Sequence, residues 1–288
     1  MARKKPKPPF PAQHQKKPGA KYKLLPRPRY KAREYVGSGK LEDKITLITG
    51  GDSEIGRAVA TFFAREGSHI AITHMPPEKK GAEATQAAVK KERKKISLIE
   101  GDITDPGFCE YAIERVIDDY GRLDIVINSA VYQHHQDNIE NLTLEQWGHT
   151  FKMNIDSYFY IIKYALPYLK EGSTIINTGS VAGIHGNAKL LDYSAAKGAI
   201  HAFTKSLAQH LLYKGIRVNC VALGPIRTSS YPTKRKAKDT TRLKELSLMG
   251  RPAEPEEIAP AFVFFASNTD SGYITGEILT LPGNRNSN

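Results

Sequence analysis

From residue 45 onward, short β-rich runs alternate with segments of helical period, and this alternation constrains the fold more than any other feature. Consecutive strands joined by a helix pair in parallel, because a crossover connection is needed to return the chain in the same direction. The predicted strands are Ile45–Thr49, His69–Thr73, Ile96–Glu100, Ile125–Asn128, Thr174–Thr178, Ile216–Val221 and Glu277–Leu281. The pattern predicts one α/β domain, residues 41–288, with a doubly wound parallel sheet of seven strands flanked by helices.

Helices are predicted between these strands, at Ile55–Glu66, Gly81–Arg93, Gly107–Tyr120, Leu144–Leu169, Tyr193–Tyr213 and Glu256–Ala266. In an open parallel sheet, ligands bind beyond the carboxyl ends of the strands. Glycine-rich or polar stretches follow six of the predicted strands, at 49–56, 73–74, 101–102, 128–130, 179–180 and 223–228. We therefore expect the functional site at this edge.

The stretch Thr49-Gly-Gly-Asp-Ser-Glu-Ile-Gly56 joins the first strand to the first helix and is typical of a turn that binds phosphate. Gly50 allows a tight turn, and Gly56 allows the helix to pack close to the sheet. The unpaired N–H groups at the start of the helix then face an anion. The position of the turn after the first strand favours a dinucleotide as the ligand.

Glu54 stands where a glycine would let the backbone approach a pyrophosphate. A carboxylate about 5 Å from a phosphate charge costs roughly 3 kcal/mol at an effective dielectric of 20, and below about 1 kcal/mol when solvated. The favoured interpretation is an acid in the first helical turn, stabilised by the helix dipole and facing water. The alternative is weakened or lost cofactor binding.

A second group of polar residues could carry the chemistry. Tyr193-Ser-Ala-Ala-Lys197 places a phenol and an ammonium on one face of a helix. Ser180 ends an upstream strand, and Asn154 lies in the preceding long helix. Singly, each residue has an ordinary structural explanation, but their order after a nucleotide-type turn favours catalysis.

With these motifs, residues 41–283 resemble the short-chain dehydrogenase/reductase family, which has a Rossmann-type fold. The family pattern T-G-x-x-x-G-x-G, Asp after the third strand, N-N-A-G, helical Asn, Ser, Y-x-x-x-K and P-G is met in order, with Asn128-Ser-Ala-Val131 and Leu223-Gly-Pro225 as variants. The stretches Pro11–Gln15, Thr49–Ser53, Leu191–Ser194 and Gly250–Pro252 further resemble a bacterial subgroup called general-stress or glucose/ribitol-dehydrogenase-like.

The resemblance implies roles for the catalytic residues. Tyr193 would exchange a proton with the substrate oxygen, and an adjacent ammonium together with an oxidised nicotinamide would bring its pKa towards neutrality. Lys197 would supply that ammonium and hold the nicotinamide ribose, Ser180 would polarise the carbonyl, and Asn154 would support a water-linked proton path. The implied cofactor-binding residues are Gly50, Asp52, Ser53, Ile55, Gly56, His74, Asp102, Ile103, Asn128, Ser129, Ala130, Tyr193, Lys197, Gly224, Pro225, Ile226 and Thr228.

The choice between NAD and NADP depends on the end of the second strand. A carboxylate there favours NAD, and a basic group accommodates the 2′-phosphate of NADP. Thr73-His74 occupies this position, so no carboxylate repels a phosphate and no arginine binds one. The sequence favours NADP slightly and leaves NAD open.

Residues 1–40 differ in composition from the rest of the chain. They hold 13 Lys or Arg and one acid, a net charge of +12, together with 7 of the 17 prolines, whereas the remainder has 29 basic and 29 acidic residues. Such a segment cannot bury enough apolar surface to offset its ordering entropy, which predicts an extended basic arm. Our preferred interpretation is that the arm packs on a neighbouring subunit, because the family resemblance implies a homotetramer formed through helices around 144–169 and 193–213.

The composition also limits partners and location. No apolar run of about 18 residues occurs, so no membrane span is expected. Cys109 and Cys220 lack the number and spacing of a disulfide framework or a metal site, and His134 and His135 lack ligand partners, so we expect no metal and a reducing cytoplasmic location. Residues 229–248 are expected to form a basic substrate lid.

The main functional hypothesis is an NAD(P)-dependent oxidoreductase that acts on an alcohol or carbonyl compound, with a polyol or sugar as the candidate class. One alternative keeps the fold but loses turnover, because Glu54 impairs the cofactor site and leaves a nucleotide-binding or scaffold protein. A second alternative is a binder of nucleic acid or acidic surfaces through the arm, although the arm has few aromatic residues and no recognition fold.

Overall fold

The computed structural model describes residues 28–31, 34–228, 249 and 251–283. It contains one parallel sheet of seven strands in the spatial order 3-2-1-4-5-6-7, which confirms the predicted fold class. The strands are β1 (Ile45–Ile48), β2 (His69–His74), β3 (Ile96–Glu100), β4 (Ile125–Asn128), β5 (Thr174–Ser180), β6 (Arg217–Leu223) and β7 (Ile278–Leu281). The order reverses between β1 and β4, where such sheets open a ligand crevice.

Nine α-helices connect and flank these strands in the described residues. They are α1 (Glu54–Arg65), α2 (Lys79–Lys91), α3 (Pro106–Tyr120), α4 (Leu144–Phe151), α5 (Ser157–Ala165), α6 (Ala182–His185), α7 (Leu191–Leu211), α8 (Pro255–Ala266) and α9 (Asn268–Ser271). Five of the six predicted helical segments are confirmed, with ends that differ by a few residues, and the segment 144–169 is divided into α4 and α5. The short helices α6 and α9 were not predicted, because a single turn carries too little periodicity.

Hydrophobic cores lie on both faces of the sheet because neighbouring strand residues point in opposite directions. In β1, Ile48 joins the core beneath α1 and α8, whereas Leu47 joins the core beneath α3, α5 and α7. In β5, Ile176 and Ile175 divide in the same way. Burial on both faces explains why the strands are continuous apolar runs without polar alternation.

The predicted helix 144–169 is interrupted. Between α4 and α5 the backbone forms a π-helical segment, Lys152–Asp156, and α5 ends at Ala165, shortly before Pro167. Proline disfavours continuation of a helix because it lacks a backbone N–H and clashes with the preceding turn. The π segment contains Asn154, so a widened turn of the helix presents this side chain to the interior.

Residues 28–31 and 34–40, which we call the strap, lie against α1 and α8. Arg29 pairs with Glu256 in the first turn of α8, with an Nε to Oε1 distance of 2.8 Å. At the other end, the backbone N–H groups of Ser38 and Lys40 donate to the Glu66 carboxylate, at the carboxyl end of α1. Because Tyr30 contacts Arg57 at the start of α1, the strap runs parallel to α1. Residues 1–27 of the predicted arm lie outside the described residues.

Candidate active site

The phosphate turn, residues 49–56, leaves β1 and enters α1 at the carboxyl edge of the sheet. Gly50 has φ +65°, a conformation that L side chains rarely adopt, and a Cβ atom there would lie 2.8 Å from the Cα of Ala130. A Cβ atom on Gly56 would lie 2.5 Å from the Gly50 carbonyl oxygen. The tight turn expected at Gly50 is present, whereas the atoms that leave no room for a side chain at Gly56 belong to the turn itself.

Side chains hold the carbonyl groups of this turn. The Thr85 hydroxyl donates to the Gly51 carbonyl at 2.8 Å, and Arg57 Nη2 donates to the Asp52 carbonyl at 3.0 Å. Ser53 caps α1, because its hydroxyl accepts the Gly56 N–H at 2.9 Å. A helix N-terminus leaves its first N–H groups without intrahelical acceptors, so the capped first turn of α1 suits an anion.

Glu54 is the first residue of α1, as expected, but the expectation that it faces water is wrong. Its exposed fraction is 4%, because the turn folds back onto the body of the protein. The guanidinium of Arg57 lies three residues further along the same helix and is also buried. Burial lowers the pKa of Arg57, and the nearby charge of Glu54 acts in the opposite direction. The phosphate turn thus contains a buried carboxylate beside a buried cation.

The remaining predicted cofactor residues follow other strands at the same edge. Thr49 links the turn to the end of β4, since its hydroxyl accepts the N–H groups of Ser129 and Ala130 at 2.9 and 3.2 Å. After β3, the Asp102 carboxylate accepts the Thr104 N–H at 2.8 Å and so stabilises its own loop. The other predicted residues at this edge are Ile103, which is buried after β3, His74 at the end of β2, Asn128 at the end of β4, and Gly224, Pro225, Ile226 and Thr228 after β6.

The structure brings the predicted catalytic side chains to the same edge. Tyr193 and Lys197 lie in the first turns of α7, and the Lys197 Nζ atom is 5.8 Å from the centroid of the Tyr193 ring. Ser180 ends β5, and its hydroxyl is a hydrogen-bond partner of Tyr193. A phenol, a hydroxyl and an ammonium therefore lie together, and all three side chains are buried.

Asn154 reaches this region from the π-helical segment. Its Nδ2 atom donates to the carbonyl groups of Tyr132 and Thr150, at 2.8 and 2.9 Å. Its Oδ1 atom is buried and accepts no hydrogen bond from the described residues. The same holds for Asn128 Oδ1 and Thr178 Oγ1, near the ends of β4 and β5. Buried polar atoms of this kind are usually satisfied by ligand or water, so the edge suits a polar ligand such as a dinucleotide.

Burial dominates the electrostatic environment of Tyr193 in the cofactor-free protein. It raises the pKa of the phenol to about 12, and the hydrogen bond with Ser180 opposes this shift. The expected approach to neutrality, which requires an oxidised nicotinamide beside Lys197, stays a prediction. The ammonium of Lys197 donates to the Thr178 carbonyl at 2.7 Å and to the Tyr158 hydroxyl at 3.3 Å.

Sequence reasoning missed two residues that support the catalytic side chains. Tyr158 is buried and accepts the hydrogen bond from Lys197, and its position four residues after Asn154 on the same helical row was the available signal. Asp192 is buried at the start of α7 and accepts the Tyr193 N–H at 2.8 Å and the Thr150 hydroxyl at 2.6 Å. The bond from Thr150 connects α4 to α7 and so helps to fix the start of the helix that carries Tyr193 and Lys197.

Other kinds of site are not found in the residues that the structure describes. No group of three or more His, Cys, Asp or Glu side chains in this part of the chain is arranged to hold a metal ion. None of its helices is long and apolar enough to cross a membrane. The predicted lid, residues 229–248, falls in the part that the structure does not describe.

Comparisons with known proteins identify the family. The family model described as Enoyl-(Acyl carrier protein) reductase matches residues 50–283. General stress protein 39 of Bacillus subtilis (strain 168) is 44% identical over 275 residues, which cover 95% of this chain and 96% of that protein. In Arabidopsis thaliana, Glucose and ribitol dehydrogenase homolog 2 is 41% identical, with 94% and 95% coverage, and NADPH-dependent aldehyde reductase 1, chloroplastic, is 42% identical, with 91% and 93% coverage.

Among solved structures, a short-chain dehydrogenase from Burkholderia cenocepacia J2315 in complex with NADP is 27% identical and superposes with a TM-score of 0.79. The match covers 85% of this chain and 98% of that chain. The chain belongs to the short-chain dehydrogenase/reductase family and is an NAD(P)-dependent oxidoreductase. The resemblance to the general-stress and glucose/ribitol-dehydrogenase subgroup is thereby confirmed.

Proposed function

We propose that this oxidoreductase reduces a polar, hydroxylated carbonyl compound, such as a sugar, or oxidises the corresponding polyol, with Tyr193 as the acid or base. The observation that carries the proposal is the Tyr193, Ser180 and Lys197 arrangement at the carboxyl edge of the sheet. A bound dihydronicotinamide would supply the hydride to the carbonyl carbon.

The side chains of the chain account for the accompanying proton. Tyr193 donates its phenolic proton to the carbonyl oxygen as that oxygen gains negative charge, and it becomes a phenolate. Ser180 donates a hydrogen bond to the same oxygen and favours its polarised form. Lys197, held by the Thr178 carbonyl, places a positive charge beside the phenolate and lowers the cost of forming it. Asn154 stands on the path by which solvent returns the proton, and the alcohol oxidation uses the same steps in reverse.

Burial keeps the Tyr193 phenol protonated across the neutral range in the cofactor-free protein, so it holds the proton that carbonyl reduction requires. Oxidation of an alcohol requires the phenolate, and an additional positive charge, as in oxidised nicotinamide, would favour that form by lowering the pKa of the phenol.

We propose NADP as the preferred cofactor. Three observations support it: β2 ends at His74 and not at a carboxylate, a structural relative was solved in complex with NADP, and a relative from Arabidopsis is NADPH-dependent. The buried Glu54 opposes any phosphate at the turn, and this effect applies to the pyrophosphate of both cofactors.

We propose a polar substrate because two loops with many polar side chains border the proposed catalytic residues. The Gln136 N–H donates to the Lys189 carbonyl at 3.0 Å, and the Lys189 ammonium pairs with Asp137 at 3.1 Å. These contacts join the loop after β4 to the loop between α6 and α7. The two loops carry many hydrogen-bonding side chains, namely Tyr132, Gln133, His134, His135, Gln136, His185, Asn187 and Lys189. Such a lining suits a hydroxylated molecule better than an apolar one.

A homotetramer in a cytoplasmic setting is also proposed. Large apolar side chains on α4 and α5 remain exposed in the single chain, including Trp147 at 41% and Phe159 at 48%, and they lie on the helices through which we expect subunits to pair. Cys109 and Cys220 are free and buried, which is consistent with a reducing compartment. The two alternatives from the sequence, a catalytically impaired nucleotide-binding protein and a binder of acidic surfaces, are outcomes of the experiments below.

The proposed function is tested by a screen of sugars, polyols and simple ketones or aldehydes with NADPH, NADH and their oxidised forms. We expect turnover with hydroxylated carbonyl compounds and higher kcat/KM with NADPH. Saturable NADPH binding without turnover of any compound would favour the impaired nucleotide-binding alternative instead. Activity restricted to apolar ketones would contradict the proposed substrate class.

A further inference from the structure

Residues 28–31 of the strap contact the first turns of α1 and α8. Both helices start at the carboxyl edge of the sheet, so this part of the strap lies close to the residues that support the phosphate turn and the loop after β6. The strap also covers the core, since Tyr30 and Tyr35 both pack against the same apolar cluster.

At the loop after β6, Glu254 is the center of a buried network. Its carboxylate receives two hydrogen bonds from the Arg227 guanidinium, at 2.7 and 3.0 Å, and the exposed fractions of the two residues are 4% for Arg227 and 2% for Glu254. The same carboxylate accepts the backbone N–H of Arg29 in the strap at 2.8 Å. The Glu256 N–H donates back to the Arg29 carbonyl at 3.1 Å.

This network controls the position of residues 225–228. Arg227 precedes Thr228, one of the predicted cofactor residues, and the Arg227 N–H donates to the Ala253 carbonyl at 2.9 Å. Ala253 in turn donates to the Pro225 carbonyl at 3.0 Å. The loop after β6 is therefore attached to the start of α8, and the start of α8 is attached to the strap.

At the phosphate turn, Tyr30 makes the corresponding contact. The guanidinium carbon of Arg57 lies 5.4 Å from the centroid of the Tyr30 ring, which is a cation–π distance. Arg57 holds the Asp52 carbonyl in the turn, at 3.0 Å, and the Gly81 carbonyl of α2, at 3.1 Å. The Tyr30 ring thus fixes the side chain that supports the turn from behind.

We propose that the strap positions both ends of the dinucleotide site, with Tyr30 acting through Arg57 on the phosphate turn and Glu254 acting through Arg227 on the loop after β6. Arg29 and Tyr30 are neighbours in the strap. Arg29 contacts Glu254 and Tyr30 contacts Arg57, so the strap fixes the distance between these two supporting residues. The inference rests on the proposed cofactor site. Tyr30 and Glu254 are positioning residues, because they act through Arg57 and Arg227.

The test compares full-length variants of the two strap tyrosines. Tyr30→Leu removes the ring over Arg57, whereas Tyr35→Leu removes a ring from the same core at the far end of α1, where Tyr35 stacks on Phe62 at 4.5 Å. Both variants should lower the thermal unfolding temperature. Only Tyr30→Leu should raise the Kd for NADPH, by roughly threefold to tenfold, as expected for one lost cation–π contact. Tyr30→Phe keeps the ring and should bind NADPH like the unmodified protein.

A second variant tests the other end. Glu254→Gln keeps an acceptor for Arg29 but removes the charge that pairs with Arg227, and it should raise the Kd for NADPH while leaving kcat at saturating cofactor within about twofold. Hydrogen exchange of the cofactor-free protein adds a readout independent of activity. Exchange at 225–228 should increase in Glu254→Gln, and exchange at 50–53 should increase in Tyr30→Leu.

The outcomes separate the inference from the proposed function. Unmodified protein that binds neither NADPH nor NADH would overturn both. Tight binding by the unmodified protein, with the same Kd in Tyr30→Leu and Glu254→Gln, would overturn the positioning role alone. An equal loss of affinity in Tyr35→Leu would also overturn it, since the effect would then follow from general destabilisation.

Discussion

Replacing Glu54 by glutamine should tighten dinucleotide binding. The substitution removes the negative charge from the phosphate turn while keeping the size of the side chain. Because Glu54 is only 4% exposed, water does not screen its charge as it would on the surface. A full charge about 5 Å from a phosphate then costs roughly 3 kcal/mol at an effective dielectric of 20.

The cation of Arg57, on the same helix, offsets part of this cost. We therefore expect about 1–2 kcal/mol, which corresponds to a roughly tenfold lower Kd. The helix should lose about 0.3–1 kcal/mol of stability, because an acid in the first turn interacts favourably with the helix dipole. Glu54→Gly should also tighten binding, but a glycine in the helix costs about 1 kcal/mol more, so glutamine is the better probe.

The assay is a fluorescence titration with NADPH and with NADH, accompanied by thermal unfolding of the cofactor-free protein. Glu145→Gln is the matched control, because it removes an acid from the first turn of α4 and gives the same change in net charge. An unchanged Kd in Glu54→Gln, or an equal change in Glu145→Gln, would refute the reasoning that the buried carboxylate acts on the bound phosphates.

Three further predictions concern other parts of the molecule. Burial and the charge of Lys197 lower the pKa of His201 to about 4, so this histidine binds a proton more tightly in the unfolded protein than in the folded one. The free energy of unfolding should therefore fall by about 3 kcal/mol as the pH drops from about 6.5 to 4. Chemical unfolding measured across this pH range should show a weaker pH dependence in His201→Gln. Tyr158→Phe removes a hydroxyl that accepts a hydrogen bond from Lys197, and kcat should decrease about tenfold, as measured by steady-state kinetics, with NADPH affinity nearly kept. Full-length protein should show no association with duplex DNA at about 0.15 M salt by fluorescence anisotropy; salt-sensitive binding that disappears when residues 1–27 are deleted would instead support the nucleic-acid alternative for the arm.

The fold was predictable because its determinants are local in the sequence. Runs such as Ile45–Ile48 and Ile125–Asn128 are short, β-branched and apolar, and they are buried on both faces in the structure. The π-helical segment at 152–156 was not predictable, since its apolar period hardly differs from that of an α-helix and its widened turn is stabilised by tertiary contacts.

The residue types of the candidate site were predictable from the sequence, whereas the burial of its charged groups and the resulting pKa shifts were not. The order of Asn154, Ser180, Tyr193 and Lys197 predicted a common site for these residues, and the structure brings them to one edge. The burial of Glu54 could not be read from the sequence, because it depends on how the turn packs. The raised pKa of Tyr193 also depends on tertiary burial.

The most direct test of the account is the kinetics of Tyr193→Phe with the best substrate found in the screen, measured together with its Kd for NADPH. Removal of the phenolic oxygen should lower kcat by about 10²–10⁴-fold, because the proton donor is lost, and should leave the Kd for NADPH within about threefold. A variant that retains most of its kcat would show that another group supplies the proton and would contradict the assignment of Tyr193.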